Sequence, residues 1–153
     1  MTATYGQVRD VLNAAADFHR DLRDFYAQLA KQEDRDRVRM LLSYMSRHEK
    51  DFEQALAQYD QEGARKLLDT WMHYTPEDRT LQVPRPKTLR NDMTVDEAVD
   101  TAVRLEEELA QFYAQTAQLA TTSEVRRLFK ELKERWEDQE RKLKVDAISL
   151  KRM

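Results

Sequence analysis

Apolar residues recur at intervals of three and four along four separate stretches of this chain, the spacing of helices that each bury one face. In the first stretch the stripe is Val8, Val11, Leu12, Ala15, Phe18, Leu22, Phe25, Tyr26 and Leu29; in the second it is Val38, Leu41, Leu42, Met45, Phe52, Leu56 and Tyr59. Only the charged segment Lys31 to Asp36 separates them, which is short enough to force an antiparallel hairpin. The third stripe runs through Val95, Ala98, Val99, Ala102, Leu105, Leu109, Phe112 and Tyr113. Thr94 and Glu97 precede it in the arrangement of a capping box. After a polar turn at Thr121 to Ser123, the fourth follows Val125, Leu128, Phe129, Leu132, Trp136 and Leu143. The pattern predicts helices over residues 5–31, 35–61, 94–120 and 123–149.

The two hairpins are copies. Of the 55 positions from Tyr5 to Tyr59, 14 are identical to those 87 residues later, Asp92 to Asp146. The run FYAQ appears at Phe25 to Gln28 and again at Phe112 to Gln115. The pairs Val8/Val95, Leu22/Leu109, Val38/Val125, Leu41/Leu128 and Leu56/Leu143 carry the match along both arms. Each hairpin presents an apolar face that must be covered, and pairing the copies about a pseudo-two-fold axis covers both. The expected architecture is an all-α four-helix bundle, one domain over 1–153, with hairpin 1 at 5–61, a crossover at 62–93 and hairpin 2 at 94–150. Gly63 is placed to end the second helix. A short helix is expected between Arg65 and Tyr74, with Leu67, Leu68 and Trp71 covering the side or end of the bundle. Pro76, Pro84 and Pro86 mark the rest of the crossover, up to Arg90, as extended chain.

Composition narrows the function classes. The 26 basic and 29 acidic residues nearly cancel and are mixed along every helix, so no basic stripe points to nucleic acid. Absence of cysteine excludes disulfides, thiolate metal sites and thiol catalysis. No apolar run approaches the roughly 20 residues of a membrane span, and the N-terminus has no signal-peptide core; a cytoplasmic protein is expected.

Three further repeat pairs bear on chemistry: His19/Glu106, Glu49/Trp136 and Phe52/Gln139. On these residues the chain resembles the rubrerythrin-type branch of the ferritin-like superfamily. In that family each half supplies a Glu from its first helix, seven residues before the Tyr of an aromatic pair, and a Glu-x-x-His from its second helix about thirty residues on. Counting back from Tyr113 and Tyr26 gives Glu106 and His19; thirty residues further lie Trp136 and Glu49, and three beyond those lie Gln139 and Phe52. The resemblance implies four carboxylates and two histidines around a pair of iron or manganese ions, because several anionic oxygens are needed to offset the metal charge. This chain keeps Glu49 and Glu106, has His19 in place of a carboxylate, and carries Phe52, Trp136 and Gln139 at vestigial ligand positions.

Three readings follow. A buried, metal-free Glu106–His19–Glu49 hydrogen-bonded cluster would leave a non-enzymatic bundle with no cofactor and an unknown role. One iron or manganese ion held by His19, Glu49 and Glu106 would leave a metal-dependent oxidoreductase or iron-handling protein, and a carboxylate-poor dinuclear site is the third reading. Phe52 and Trp136 read as core filler. Tyr26 and Tyr113 read as packing or as hydrogen-bond donors to the carboxylates, while His48, Glu53 and Glu140 are expected on the flank. A homodimer is the expected assembly, with Trp71, Met72 and Tyr74 as exposed apolar anchors.

Overall fold

The computed structural model describes residues 6–61, 65–72 and 94–152, leaving aside the side chains of 59–61, 95, 98, 99, 102 and 143–152. Five helices lie within these residues: α1 (Val8–Gln32), α2 (Asp36–Gln61), α3 (Arg65–Leu68), α4 (Val95–Leu119) and α5 (Ser123–Arg152). The duplication is visible in their bounds. Adding 87 to both ends of α1 gives both ends of α4, and adding it to Asp36 gives Ser123. The expected helices agree to within three residues at each end among the described residues. The tail of α5 runs to Arg152, beyond the expected 149.

Short polar turns close each hairpin. Between α1 and α2, Glu33 Oε1 accepts from the backbone N–H of Arg35 at 3.1 Å and from its guanidinium at 2.9 Å. Those donors hold the Glu33 carboxyl below its ordinary range. Between α4 and α5, the Thr122 hydroxyl accepts from the Val125 N–H at 3.2 Å and so caps α5. At the start of α4 the Thr94 hydroxyl accepts from the Glu97 N–H at 3.1 Å, as the sequence predicts. The same hydroxyl donates to the Glu97 carboxylate at 3.0 Å.

The apolar stripes meet in one core. Val8, Val11, Phe18, Leu22, Tyr26, Leu42 and Met45 from the first hairpin are buried with Leu109, Phe112, Tyr113, Val125, Leu128 and Phe129 from the second. At roughly 1.5–3 kcal/mol for each large apolar side chain, this burial is the main force joining the hairpins. Packing is closest within each hairpin, with α1 against α4 and α2 against α5 between them.

The crossover's first residues are fastened to the beginning of α1. The Val8 N–H donates to Thr70 O at 2.9 Å and the Met72 N–H to Gly6 O at 2.8 Å, which pairs Gln7 with Trp71 across an antiparallel bridge. Asp69 adds an ion pair to Arg9 at 3.0 Å. Trp71 lies so close over Gly6 that a Cβ there would come within 2.9 Å of the indole ring. Two expectations change here. Leu68 is buried and covers the bundle, but Trp71 is 62% exposed; Met72, expected as an exposed anchor, is buried at 7%. The bridge explains why Trp71 keeps its exposed place as an anchor while Met72 does not, since adjacent residues of an extended strand face opposite ways. Gly63, Tyr74 and the Pro-bearing strip to Arg90 lie outside the described residues, as do the side chains of Tyr59, Val95, Ala98, Val99, Ala102 and Leu143.

Candidate functional site

Helical spacing brings one polar position from each long helix to the middle of the bundle. His19 on α1 lies one residue beyond Phe18 and three before Leu22, so it shares their buried face and is 1% exposed. Glu49 on α2 follows Met45 by four residues and is 3% exposed. Glu106 on α4 lies next to Leu105 and three residues before Leu109, and is 5% exposed. Trp136 on α5 is buried at 3%. Gln139, three residues further along α5, is half-buried.

The first three residues form one connected cluster. His19 Nδ1 and Glu49 Oε2 are 2.6 Å apart, and the carboxyl groups of Glu49 and Glu106 are hydrogen-bonded to each other. Burial decides where the protons lie. It pushes the Glu106 carboxyl well above the ordinary carboxylate range, and the neighbouring Glu49 raises it further. Burial also raises Glu49 to about 7, while the hydrogen bond from Glu106 pulls the other way. His19 is lowered to about 4 by desolvation, against the opposing pull of Glu106 and Glu53. The His19–Glu49 contact is therefore a hydrogen bond to a neutral imidazole rather than an ion pair. In the consistent arrangement, the protonated Glu106 donates to Glu49 and His19 Nδ1–H donates to the same carboxylate. His19 Nε2, fully enclosed, has no hydrogen-bond partner.

Aromatic rings close the cluster. Phe52 stacks on the His19 imidazole at 4.8 Å with the planes 10° apart, and Phe18 meets its edge at 5.4 Å. Phe52 is thus half-buried packing for His19. A cavity of about 20 Å³ lies beside the cluster, lined by Tyr26, Met45, His48, Glu49, Phe52, Glu106, Trp136, Gln139 and Glu140. Two of these positions were expected elsewhere. His48 is half-buried on the cavity wall, its ring 4.4 Å from that of Tyr44, rather than out on the flank. Glu140 also stands on the wall, whereas its repeat partner Glu53 pairs with Arg23 at 2.8 Å. The signal for Glu140 was one residue away in the sequence. It follows Gln139 and lies four beyond Trp136, on the same helical face.

Two metal ions do not fit these residues. A dinuclear centre needs several carboxylates and more than one imidazole. The six positions expected to supply ligands provide two carboxyls and one imidazole, and the ring of Phe52 lies against that imidazole. Among the described residues, no group of three or more His, Asp or Glu side chains is arranged to hold a metal ion. The cavity has room for about one water-sized sphere.

No protein-family model matches the chain, and no curated protein matches it. Among solved structures, it is similar to a Thermotoga maritima protein classed as ferritin-like and diiron-carboxylate. The likeness has a TM-score of 0.62 and covers 92% of this chain and 95% of that one, at 16% sequence identity. The agreement spans both hairpins and accords with the element order and the duplicated bounds: the chain has the ferritin-like fold.

Proposed function

We propose that this chain is a ferritin-like bundle whose dinuclear centre has given way to a protonated hydrogen-bonded cluster, and that it acts as a non-enzymatic interaction or scaffold module. The observation that carries this reading is the His19–Glu49–Glu106 chain, with Phe52 stacked where a ligand would stand. Protons neutralise the carboxyls here, and apolar rings occupy the remaining volume. Replacing buried ionic groups with well-packed apolar ones is often neutral or stabilising, so the fold outlives its site. Self-association as a homodimer belongs to the same reading, with Trp71 as the exposed aromatic on its surface.

One observation favours a second reading. With Nδ1–H donating to Glu49, His19 Nε2 carries a free lone pair, the form in which imidazole binds metals. A single iron or manganese ion using His19, Glu49 and Glu106 would need the Glu49 carboxylate to leave Nδ1 and turn to the metal, and would then support redox or iron-handling chemistry. Elemental analysis of the full chain, purified without chelators, separates the two. The expected result is far below one transition-metal ion per chain. A near-stoichiometric content that disappears in Glu106→Gln overturns the metal-free reading.

A further inference from the structure

The cavity beside the cluster has unmet hydrogen-bonding demand. Tyr26 Oη and Gln139 Oε1 are both enclosed, belong to residues on its wall, and have no hydrogen-bond partner. Tyr26 is fully buried, and the nearby Glu106 and Glu49 add to the burial that keeps its phenol protonated. An enclosed hydroxyl and an enclosed amide oxygen each cost their full desolvation if left unpaired. A native core rarely tolerates two such groups at one cavity.

We infer that this cavity binds one water molecule, which bridges the Tyr26 hydroxyl and the Gln139 side-chain oxygen to the Glu49–Glu106 carboxyl pair. The volume of about 20 Å³ is enough for one water. The chemistry selects a molecule that accepts and donates together. Tyr26 O–H needs an acceptor, Gln139 Oε1 needs a donor, and the carboxyl oxygens of Glu49 and Glu106 take a second donated hydrogen. Water supplies both roles with its two hydrogens and two lone pairs. A small anion would face the carboxyl pair, and an apolar gas would leave the phenol and the amide unsatisfied. A hard divalent cation would require about six oxygen ligands, and among the described residues no group of three or more His, Asp or Glu side chains is arranged to hold one.

The placement gives the water a structural role. Tyr26 belongs to α1, Glu49 to α2, Glu106 to α4 and Gln139 to α5. One neutral molecule therefore ties all four long helices together at their centre, alongside the protons that neutralise the acids. The inference rests on the metal-free reading of this centre.

Its test is diffraction from crystals of the full chain, with data collected on both sides of the iron and manganese absorption edges, together with water-oxygen relaxation dispersion in solution. The expected result is a single density peak about 2.6–3.2 Å from Tyr26 Oη and Gln139 Oε1, with no anomalous signal. In solution the parent should retain one long-lived internal water that Gln139→Met loses. A cavity without density, or a dispersion amplitude unchanged in Gln139→Met, overturns the water and leaves the metal-free reading standing. An anomalous peak overturns both. If Gln139→Met does not fold, diffraction from the parent decides alone.

Discussion

The two hairpins share a backbone plan, yet they satisfy their buried polar groups differently. In the first, His19 and Glu49 are on neighbouring helices of the same hairpin and meet at 2.6 Å. In the second, the matching positions are Glu106 and Trp136, so the acid has no partner at the equivalent place and reaches across to Glu49. The aromatic partners have exchanged as well: Phe52 faces the imidazole in one copy, while its counterpart in the other is Gln139. Of the two matching sets of central positions, one is nearly self-sufficient and the other depends on it, which makes Glu49 the residue that joins them.

Removing that residue is the most direct way to break the comparison. Glu49→Leu strips the acceptor from both His19 and Glu106 and leaves two enclosed polar groups unpaired. Each enclosed neutral group left without its hydrogen bond costs roughly 1–3 kcal/mol, so a loss of about 2–6 kcal/mol is expected in urea unfolding. His19→Leu should cost less, because Glu106 keeps its bond to Glu49. Equal losses for the two variants would show that the halves are not joined through Glu49.

Restoring the ligands tests whether the six positions converge. The quadruple change His19→Glu, Phe52→His, Trp136→Glu and Gln139→His rebuilds a Glu and a Glu-x-x-His in each hairpin. Without metal it should be less stable than the parent, since groups that demand partners replace packed rings. Iron or manganese at a hundred times its dissociation constant should return about 2.7 kcal/mol, because it binds only the folded state. The parent should gain little. A folded quadruple variant with no added metal affinity would place the half-sites apart.

The asymmetry of the halves also gives stability a pH dependence. Glu49 and Glu106 have raised folded-state values, so their contribution is complete at acid pH and is lost as pH rises through those values. For Glu49 the window runs from its ordinary 4.5 to about 7; for Glu106 it extends higher. His19 acts oppositely: its lowered value gives a contribution present above 6.5 and lost as pH falls toward about 4. Above pH 6.5 the histidine no longer opposes the acids, and stability should fall as pH rises through neutrality. Glu106→Gln should flatten that slope. A parent slope of zero between pH 7 and 8 would remove the protonated Glu106 from the cluster.

How far the sequence reached follows from what each signal depends on. Helix bounds and hairpins were legible because short turns and periodic stripes are local, and the offset relating α1 to α4 survives in positions such as Leu22/Leu109 and Phe25/Phe112. The convergence of His19, Glu49 and Glu106 was legible because each lies within a buried stripe. The side chains on the cavity wall were not. His48 and Glu140 lie one position from a central residue, where small helix rotation decides between flank and wall, and sequence spacing does not resolve it. Which of Trp71 and Met72 would be exposed was not legible, because that depends on a long-range bridge to Gly6 and Val8. No local pattern encodes that pairing.

The smallest expected effects separate the ways the two hairpins begin. The first donors of α4 rely on a side chain, the Thr94 hydroxyl at the Glu97 N–H. Those of α1 rely partly on distant backbone, with Val8 N–H held by Thr70 O and Gly6 O taking the Met72 N–H. Thr94→Ala should therefore cost about 1 kcal/mol, the usual value of a lost N-cap, and fray mainly α4. Gly6→Ala leaves both backbone bonds of the bridge available. Its added methyl crowds only the far edge of the indole of Trp71, a residue 62% exposed, and meets Asp10 Oδ2 at an ordinary 3.5 Å, so the cost should stay below that of the cap. Hydrogen exchange reads the difference directly. Faster exchange at the first turn of α4 is expected in Thr94→Ala, and near-parental protection of the Val8 and Met72 amides in Gly6→Ala. Loss of protection at Val8 in Gly6→Ala would mean that the indole cannot move aside, and that α1 begins on a rigid clamp.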